Sequence, residues 1–510
     1  MFFNAYFYVK LFYLSSINKL ATQTLWYGVS TIAQRMLSYL LTPLLTSIFV
    51  AGDFGKITTV FAVAAFLNII YSFGMETAYF RFLNEEKEEK VFNAAFKTIL
   101  VITLTVSAVL WMNVQVIADL IKIPDHPEYI QWIILIVILD NLSVLPFAKL
   151  RYTGRPVKFA LVKLMSILLQ IGLVFFFYFI CKKAAPGSFL SSLYNPAMGP
   201  GYVFLANVFA SALTFLLLFR EWISFRWERD PVFWKKMIDY SLPLLIVGFG
   251  GMVNELIDRF MLINIYPGSV QERYTETGIY SANYKLAVII ALFIQAFRLG
   301  AEPFFFKHST QTDAPKIYAR VMNFFVITCC ICFLLVVLFL DYWKYFMGKT
   351  DPAYWTGLKV VPVLLLAKIF LGMYYNLSVW YKITNKNMTG AWITLGGVVI
   401  TFALNYLLIP YWGYMGCAIA TLCCYSSMML ASYYLGQKHF PVPYDWKRIF
   451  MYIGLVLLIF ICHQWIIQFI SHPVLRFSSG ILFGMVFIVA VMVAEKDELV
   501  QLPLFKKWRS

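Results

Sequence analysis

Residues 57–81 read ITTVFAVAAFLNIIYSFGMETAYFR, an apolar run that ends on Gly74-Met75-Glu76 and closes on Arg81. About 20 mostly apolar residues are needed to cross the hydrocarbon of a bilayer as a helix. This run has that length, and Glu76 is the one charge before Arg81. The rest of the 510-residue chain repeats the pattern, with 61% hydrophobic residues, 13% charged residues and a mean hydropathy of +0.73. Soluble domains carry about 25% charged residues, so this chain has too little polar surface to coat itself in water. Aromatic residues, at 18%, suit many membrane–water interfaces. The chain reads as an all-α polytopic membrane protein.

The same length rule predicts fourteen spans: 22–50, 57–79, 94–116, 129–149, 157–180, 202–219, 240–265, 277–297, 321–342, 357–380, 391–410, 412–436, 449–470 and 474–494. Only Trp412 and Gly413 part the eleventh from the twelfth, and Pro43, Pro146, Pro243 and Pro362 mark expected kinks. The net charge of +16 would point a soluble chain toward nucleic acid, but cytoplasmic loops of membrane proteins also collect Lys and Arg. With a cytoplasmic N-terminus, and span-end residues counted with their loops, the inner segments hold 29 Lys and Arg and the outer ones 9. That bias predicts both termini inside. Residues 1–19 carry aromatics and polar groups without a small-residue cleavage site, and read as an interfacial segment rather than a signal peptide.

Working outward from 74–81, the same pattern recurs once. GMETAYFR at 74–81 matches GAEPFFFK at 300–307, as Gly-x-Glu-x-x-aromatic-Phe-basic. Upstream of each stands an arginine after a polar residue, Gln34-Arg35 and Asp258-Arg259, at spacings of 41 and 43 residues. Spans one and two thus correspond to spans seven and eight, and six spans return the chain to its starting side. The expected organisation is two parallel repeats related by an axis along the membrane normal. An N-lobe covers 20–220, a basic cytoplasmic linker 221–238 and a C-lobe 239–438, with the last two spans and a cytoplasmic tail in 439–510. The linker region REWISFRWERDPVFWKK (220–236) has the Trp and Arg that suit the inner headgroup layer.

Soluble-enzyme chemistry is missing. Gly348-Lys349-Thr350 lacks the upstream glycine of a P-loop, since position 343 is Trp343, and there is no HExxH or GxSxG. No CxxC occurs among the eight cysteines, and the five histidines never reach metal spacing. No cofactor and no nucleic acid is expected, and the chain reads as a non-enzyme. Function must then lie in charges kept inside the membrane, each costing roughly 2.5–3.5 kcal/mol on insertion scales. These are Arg35, Glu76, Asp140, Glu255, Asp258, Arg259, Lys285, Glu302 and Lys368. Glu255 and Arg259 are four apart and share a helix face. Two readings stand: the arginines bind a ligand, or Arg35–Glu76 and Arg259–Glu302 are structural pairs. Snorkelling competes with function for the two lysines.

Three segments carry a family resemblance: QRMLSYLLTPLLTSIFVAGDFG (34–55), GIYSANYKLAVIIALFIQAFRLGAEPFFF (278–306) and ALNYLLIPYWGYMGCAIAT (403–421). Over nearly all of 17–495 the chain resembles the oligosaccharide and polysaccharide flippases of the multidrug/oligosaccharidyl-lipid/polysaccharide exporter superfamily. The resemblance implies two six-helix lobes, a central cavity and alternating access in a bacterial inner membrane. It implies a substrate on an undecaprenyl pyrophosphate carrier, for O-antigen, lipopolysaccharide or exopolysaccharide synthesis, with membrane lipids and polymerase or glycosyltransferase components as partners. An arginine fork engages two phosphate oxygens at once, so Arg35 and Arg259 are the first-choice headgroup ligands. Glu76, Glu255, Asp258 and Glu302 are coupling or ion-pair carboxylates, and Lys285, Lys368, Asp140 and Asn405 secondary cavity candidates. An ion-coupled drug exporter would want a negative cavity, and an envelope scaffold would want none. Reporter fusions at positions 187 and 349 should read outside and those at 87, 228 and 312 inside; an outside signal at 228 would overturn the lobe division.

Overall fold

The computed structural model of the protein describes residues 36–227, 230–309, 311–348, 350–384 and 386–496. Arg35 and the interfacial segment 1–19 lie outside the described residues, as does the side chain of Glu302. Among the described residues there is no strand. Eleven helices of the described residues are long and apolar enough to cross a membrane, and Phe189–Met198 with Gly201–Leu217 forms a twelfth as a pair bent by 115°. These account for the expected spans from the second onward, because Asn387–His439 holds two of them. Gly413, at φ 50° and ψ −131°, breaks the helical path inside that run. The first span is represented by the apolar helix Met36–Ile48. Pro146, Pro243 and Pro410 lie inside helices, while Pro362 opens the helix Val361–Leu377.

The chain divides into two compact units, one of residues up to 264 with 268–278, the other of 265–267 with 279 onward. In the first unit, the second span breaks near its C-terminal end. Phe73 (φ 49°) and Gly74 (φ 68°) are both left-handed, and a new helix, Met75–Phe82, starts directly after them. A left-handed non-glycine residue is uncommon, and Phe73 is held there by tertiary packing. It lies against the buried cluster of Met75, Tyr79, Phe82, Phe92, Phe96, Phe233 and Met237. The second copy of the repeat differs, since 300–307 lie within the continuous helix Val270–His308.

Polar bonds tie the basic linker down onto the first unit. Asn93 accepts from the Arg226 backbone N–H at 2.9 Å, and Trp234 Nε1 donates to Thr98 at 2.8 Å. Lys236 pairs with Glu85 at 2.7 Å and Lys90 with Asp230 at 3.1 Å. Glu221 is buried and takes both of its bonds from Lys158, at 2.7 and 2.8 Å, with Arg155 at 3.7 Å. In the second unit, Phe305, Tyr318, Val379 and Val442 form a separate cluster. All eight cysteines are free, in keeping with packing roles.

The linker contacts can be tested in two ways. Lys236 holds the Glu85 carboxyl below its ordinary range, and the Phe233 backbone N–H, helped by Lys90, does the same for Asp230. A depressed carboxylate contributes stability above its unfolded value of roughly 4 and loses it as pH falls through the folded value. Amide-exchange protection of 220–236, corrected for intrinsic rates, should therefore be flat from about pH 5 to 8 and drop only in acid. Glu221→Gln should cost on the order of 1–2 kcal/mol in detergent unfolding, the low end for charge-assisted bonds because Lys158 is partly exposed. An unchanged midpoint would show that the clasp contributes nothing.

Candidate functional site

Polar residues recur at helical spacing on four spans of the first unit. Asn68, Ser72 and Glu76 follow one another at intervals of four on the second. Asp140, Phe147 and Arg151 share a face of the fourth, Lys163, Ser166 and Gln170 of the fifth, and Asn207, Ser211 and Thr214 of the sixth. These faces converge on a cavity of about 680 Å³ that all of them line. Small-ligand sites span ~300–1,000 Å³. Thus the lining of this cavity is amide- and hydroxyl-rich, with two cations and two carboxylates.

The charges are fixed by specific partners. Arg151 Nη2 donates to Glu76 Oε1, and its guanidinium lies 4.9 Å from the Phe80 ring centre. The break at Phe73-Gly74 places Glu76 in the first turn of Met75–Phe82, where the helix dipole favours a carboxylate. Ser211 hydrogen-bonds Asp140, and Lys163 is the cation acting on that carboxylate. Lys163 also sits 4.4 Å from the ring centre of Phe147. Asn141 donates to Asn68 Oδ1 at 2.7 Å and to the Val137 carbonyl at 2.9 Å, joining the second and fourth spans.

The other sequence candidates divide between the units. Asp258 and Arg259, in the first, are both buried, and Arg259 Nη1 donates to Asp258 Oδ1 at 2.9 Å and to the Glu255 carbonyl at 3.0 Å. Asp258 Oδ1 also accepts the Arg259 backbone N–H at 2.8 Å. Lys368, in the second unit, is buried between Tyr284 and Tyr425, 4.9 and 5.3 Å from their ring centres. Such cation–π contacts stabilise a desolvated ammonium. Asn405 is fully buried, and neither amide atom has a hydrogen-bond partner among the described residues. Lys285 is half-buried. Among the described residues, no group of three or more His, Cys, Asp or Glu could hold a metal ion.

Sequence reasoning missed Arg151 and Lys163, which it counted with the inner loop. The signal was present in the spacing of 140, 147 and 151 and of 163, 166 and 170, polar or aromatic at helical intervals in an apolar background. Arg298, stacked 4.2 Å from the Tyr375 ring centre, was missed in the same way. Arg151→Ala removes the cation that hydrogen-bonds Glu76 and should lower stability by roughly 1–2 kcal/mol. The swap Glu76→Arg with Arg151→Glu should recover the protein level in fluorescence-detected gel filtration. A swap that accumulates no better than the single variant would show that the pair is not what holds the second and fourth spans.

The comparisons with known proteins fit this architecture. A lipid II flippase MurJ in an inward closed conformation superposes with a TM-score of 0.69 at 13% identity, covering 93% of this chain and 99% of that one. An inward-facing MATE-family multidrug resistance transporter of the MOP superfamily gives 0.57 at 12% identity, over 86% of this chain and 99% of its own. The Vibrio cholerae MATE transporter VcmN in its bent form gives 0.54 at 10% identity, covering 83% and 96%. At these identities the likeness is one of fold. No curated protein sequence matches. The profile of polysaccharide biosynthesis proteins matches residues 20–307, more than half of the chain. The chain therefore belongs to the polysaccharide biosynthesis protein family, among the membrane transporters of the multidrug/oligosaccharidyl-lipid/polysaccharide exporter superfamily.

Proposed function

We propose that the protein flips a polyprenyl-pyrophosphate-linked oligosaccharide from the cytoplasmic to the outer leaflet, by alternating access between its two repeats. The observation that carries this reading is the membrane-embedded cavity of about 680 Å³, with its hydroxyls, amides, Arg151 and Lys163. Hydroxyl and amide groups suit a sugar, and cations suit a pyrophosphate. An exporter of cationic amphiphiles would want unpaired carboxylates instead. Here Arg151 holds Glu76, and Asp140 is engaged by Ser211 and Lys163. The protein named in the first comparison is a lipid II flippase, which supports a lipid-linked substrate. The proposed setting is a bacterial inner membrane with both termini cytoplasmic, and polymerase or glycosyltransferase components as neighbours.

Arg35 and Arg259 remain the proposed headgroup ligands, one per repeat, with the linker at 221–238 between the lobes. Arg259 would hold a phosphate with its charge already balanced by Asp258, so the site need not store an uncompensated cation when empty. With no nucleotide motif, the cycle would draw on an ion gradient or the membrane potential, worth ~2.3 kcal/mol per charge at 100 mV. Glu76, Glu255, Asp258 and Glu302 are the proposed coupling groups. The experiment is flipping of a lipid-linked oligosaccharide in proteoliposomes, followed by outer-leaflet glycosidase digestion. The double variant Asp258→Asn with Arg259→Gln removes both charges together, so it should fold and yet flip about tenfold more slowly or worse, the loss of one charge-assisted contact. Flipping at the native rate would overturn the role of Arg259.

A further inference from the structure

The cavity of the first unit sorts its polar groups into two kinds. Its charges are engaged with one another. Arg151 pairs with Glu76, and Asp140 takes a hydrogen bond from Ser211 with Lys163 as its cation. Two positive and two negative groups of the lining are thus matched.

The amides of the same lining are in the opposite condition. Gln170 on the fifth span and Asn207 on the sixth face the cavity and make no side-chain hydrogen bond among the described residues. Asn141 uses the two N–H groups of its amide on Asn68 Oδ1 and the Val137 carbonyl. That leaves Asn141 Oδ1 and Asn68 Nδ2 without partners among the described residues, although Asn141 is only 2% exposed. An unpartnered amide is costly in a membrane interior. These groups therefore call for an occupant that both donates and accepts hydrogen bonds.

Hydroxyl and acetamido groups do both, whereas a carboxylate only accepts. An acidic sugar would also meet Glu76 and Asp140 as like charges, beside cations that are already engaged.

We propose that this cavity is the sugar subsite, and that it selects uncharged units bearing hydroxyl and acetamido groups over uronic acids. The inference rests on the flippase reading above and deepens it by naming the sugar class.

The test uses the full chain and three probes: undecaprenyl pyrophosphate alone, the same carrier with a hexose–N-acetylhexosamine disaccharide, and that disaccharide with its hexose oxidised to a uronic acid. In proteoliposomes the neutral disaccharide should flip about tenfold faster than the acidic one, a difference of ~1.4 kcal/mol. Equal rates, or a faster acidic probe, would overturn the selectivity. Gln170→Met with Asn207→Leu removes two amides at nearly constant volume, and should slow the neutral probe about tenfold. Native speed in that variant would overturn the amide contacts. If the variant fails to accumulate, the comparison of probes on the native chain decides. Binding in detergent, read as the rise in unfolding midpoint with each probe, needs no transport. A larger rise with the neutral disaccharide, in a chain that flips none of the three, would uphold the subsite and overturn the flippase reading. The same rise with all three would overturn the subsite.

Discussion

In hydrocarbon, a backbone N–H or C=O without a partner costs several kcal/mol, and no water is present to supply one. Everything else in this protein is arranged around that constraint. It explains why the described residues form helices and no strands, and why departures from helix are few and placed. Phe73-Gly74 and Gly413 are such departures, and each ends one helix where another starts at once. The 189–198 segment bends by 115° before Gly201–Leu217, and its turn is closed by hydroxyls. Tyr129 donates to the Met198 carbonyl at 2.7 Å, and Tyr178 to that of Gly199 at 2.7 Å.

The same low-dielectric surroundings govern the charges. A carboxylate or guanidinium in the membrane interior persists only where a partner balances it. Glu76 with Arg151 and Asp258 with Arg259 meet that demand by ion pairing, Lys368 by lying between two tyrosine rings. These solutions have different consequences. An ion pair across two spans fixes their register. A pair between neighbours on one helix balances a charge within that helix. A cation between aromatic faces has its charge stabilised by the ring quadrupoles. The polar cavity is the product of this bookkeeping, since hydroxyls and amides from four spans face one another rather than lipid.

The linker shows how the surface differs from the interior. Glu85, Asp230, Lys90 and Lys236 pair where water is at hand, so each pair is individually weak. Their effect is collective, because the Trp234–Thr98 and Arg226–Asn93 bonds hold the same segment. The start of the seventh span is thereby anchored to the second and third.

By itself, the sequence determined the solvent, the class and the spans. Apolar runs of bilayer length admit few alternatives once backbone bonding must be internal, so even the thin Trp412-Gly413 boundary was legible as a break. The intramembrane charges were legible too, because their cost makes each one conspicuous. Their partners were not. Glu76 is bonded by Arg151, 75 residues away, and no local spacing names that partner. Arg151 stood beyond a span boundary drawn on hydropathy, although its helix runs on to Tyr152. Likewise, spacing allowed Arg259 to reach Glu255, but the guanidinium turns to Asp258 and donates to the Glu255 backbone carbonyl. Periodicity says which residues share a helix face; only packing decides which faces meet, and at what rotation. Gly55 and Gly278 make the same point: a Cβ added to either would meet the backbone carbonyl of Tyr274 or Ala51, and nothing in GDFG or TGIY names that partner until two helices cross at backbone distance.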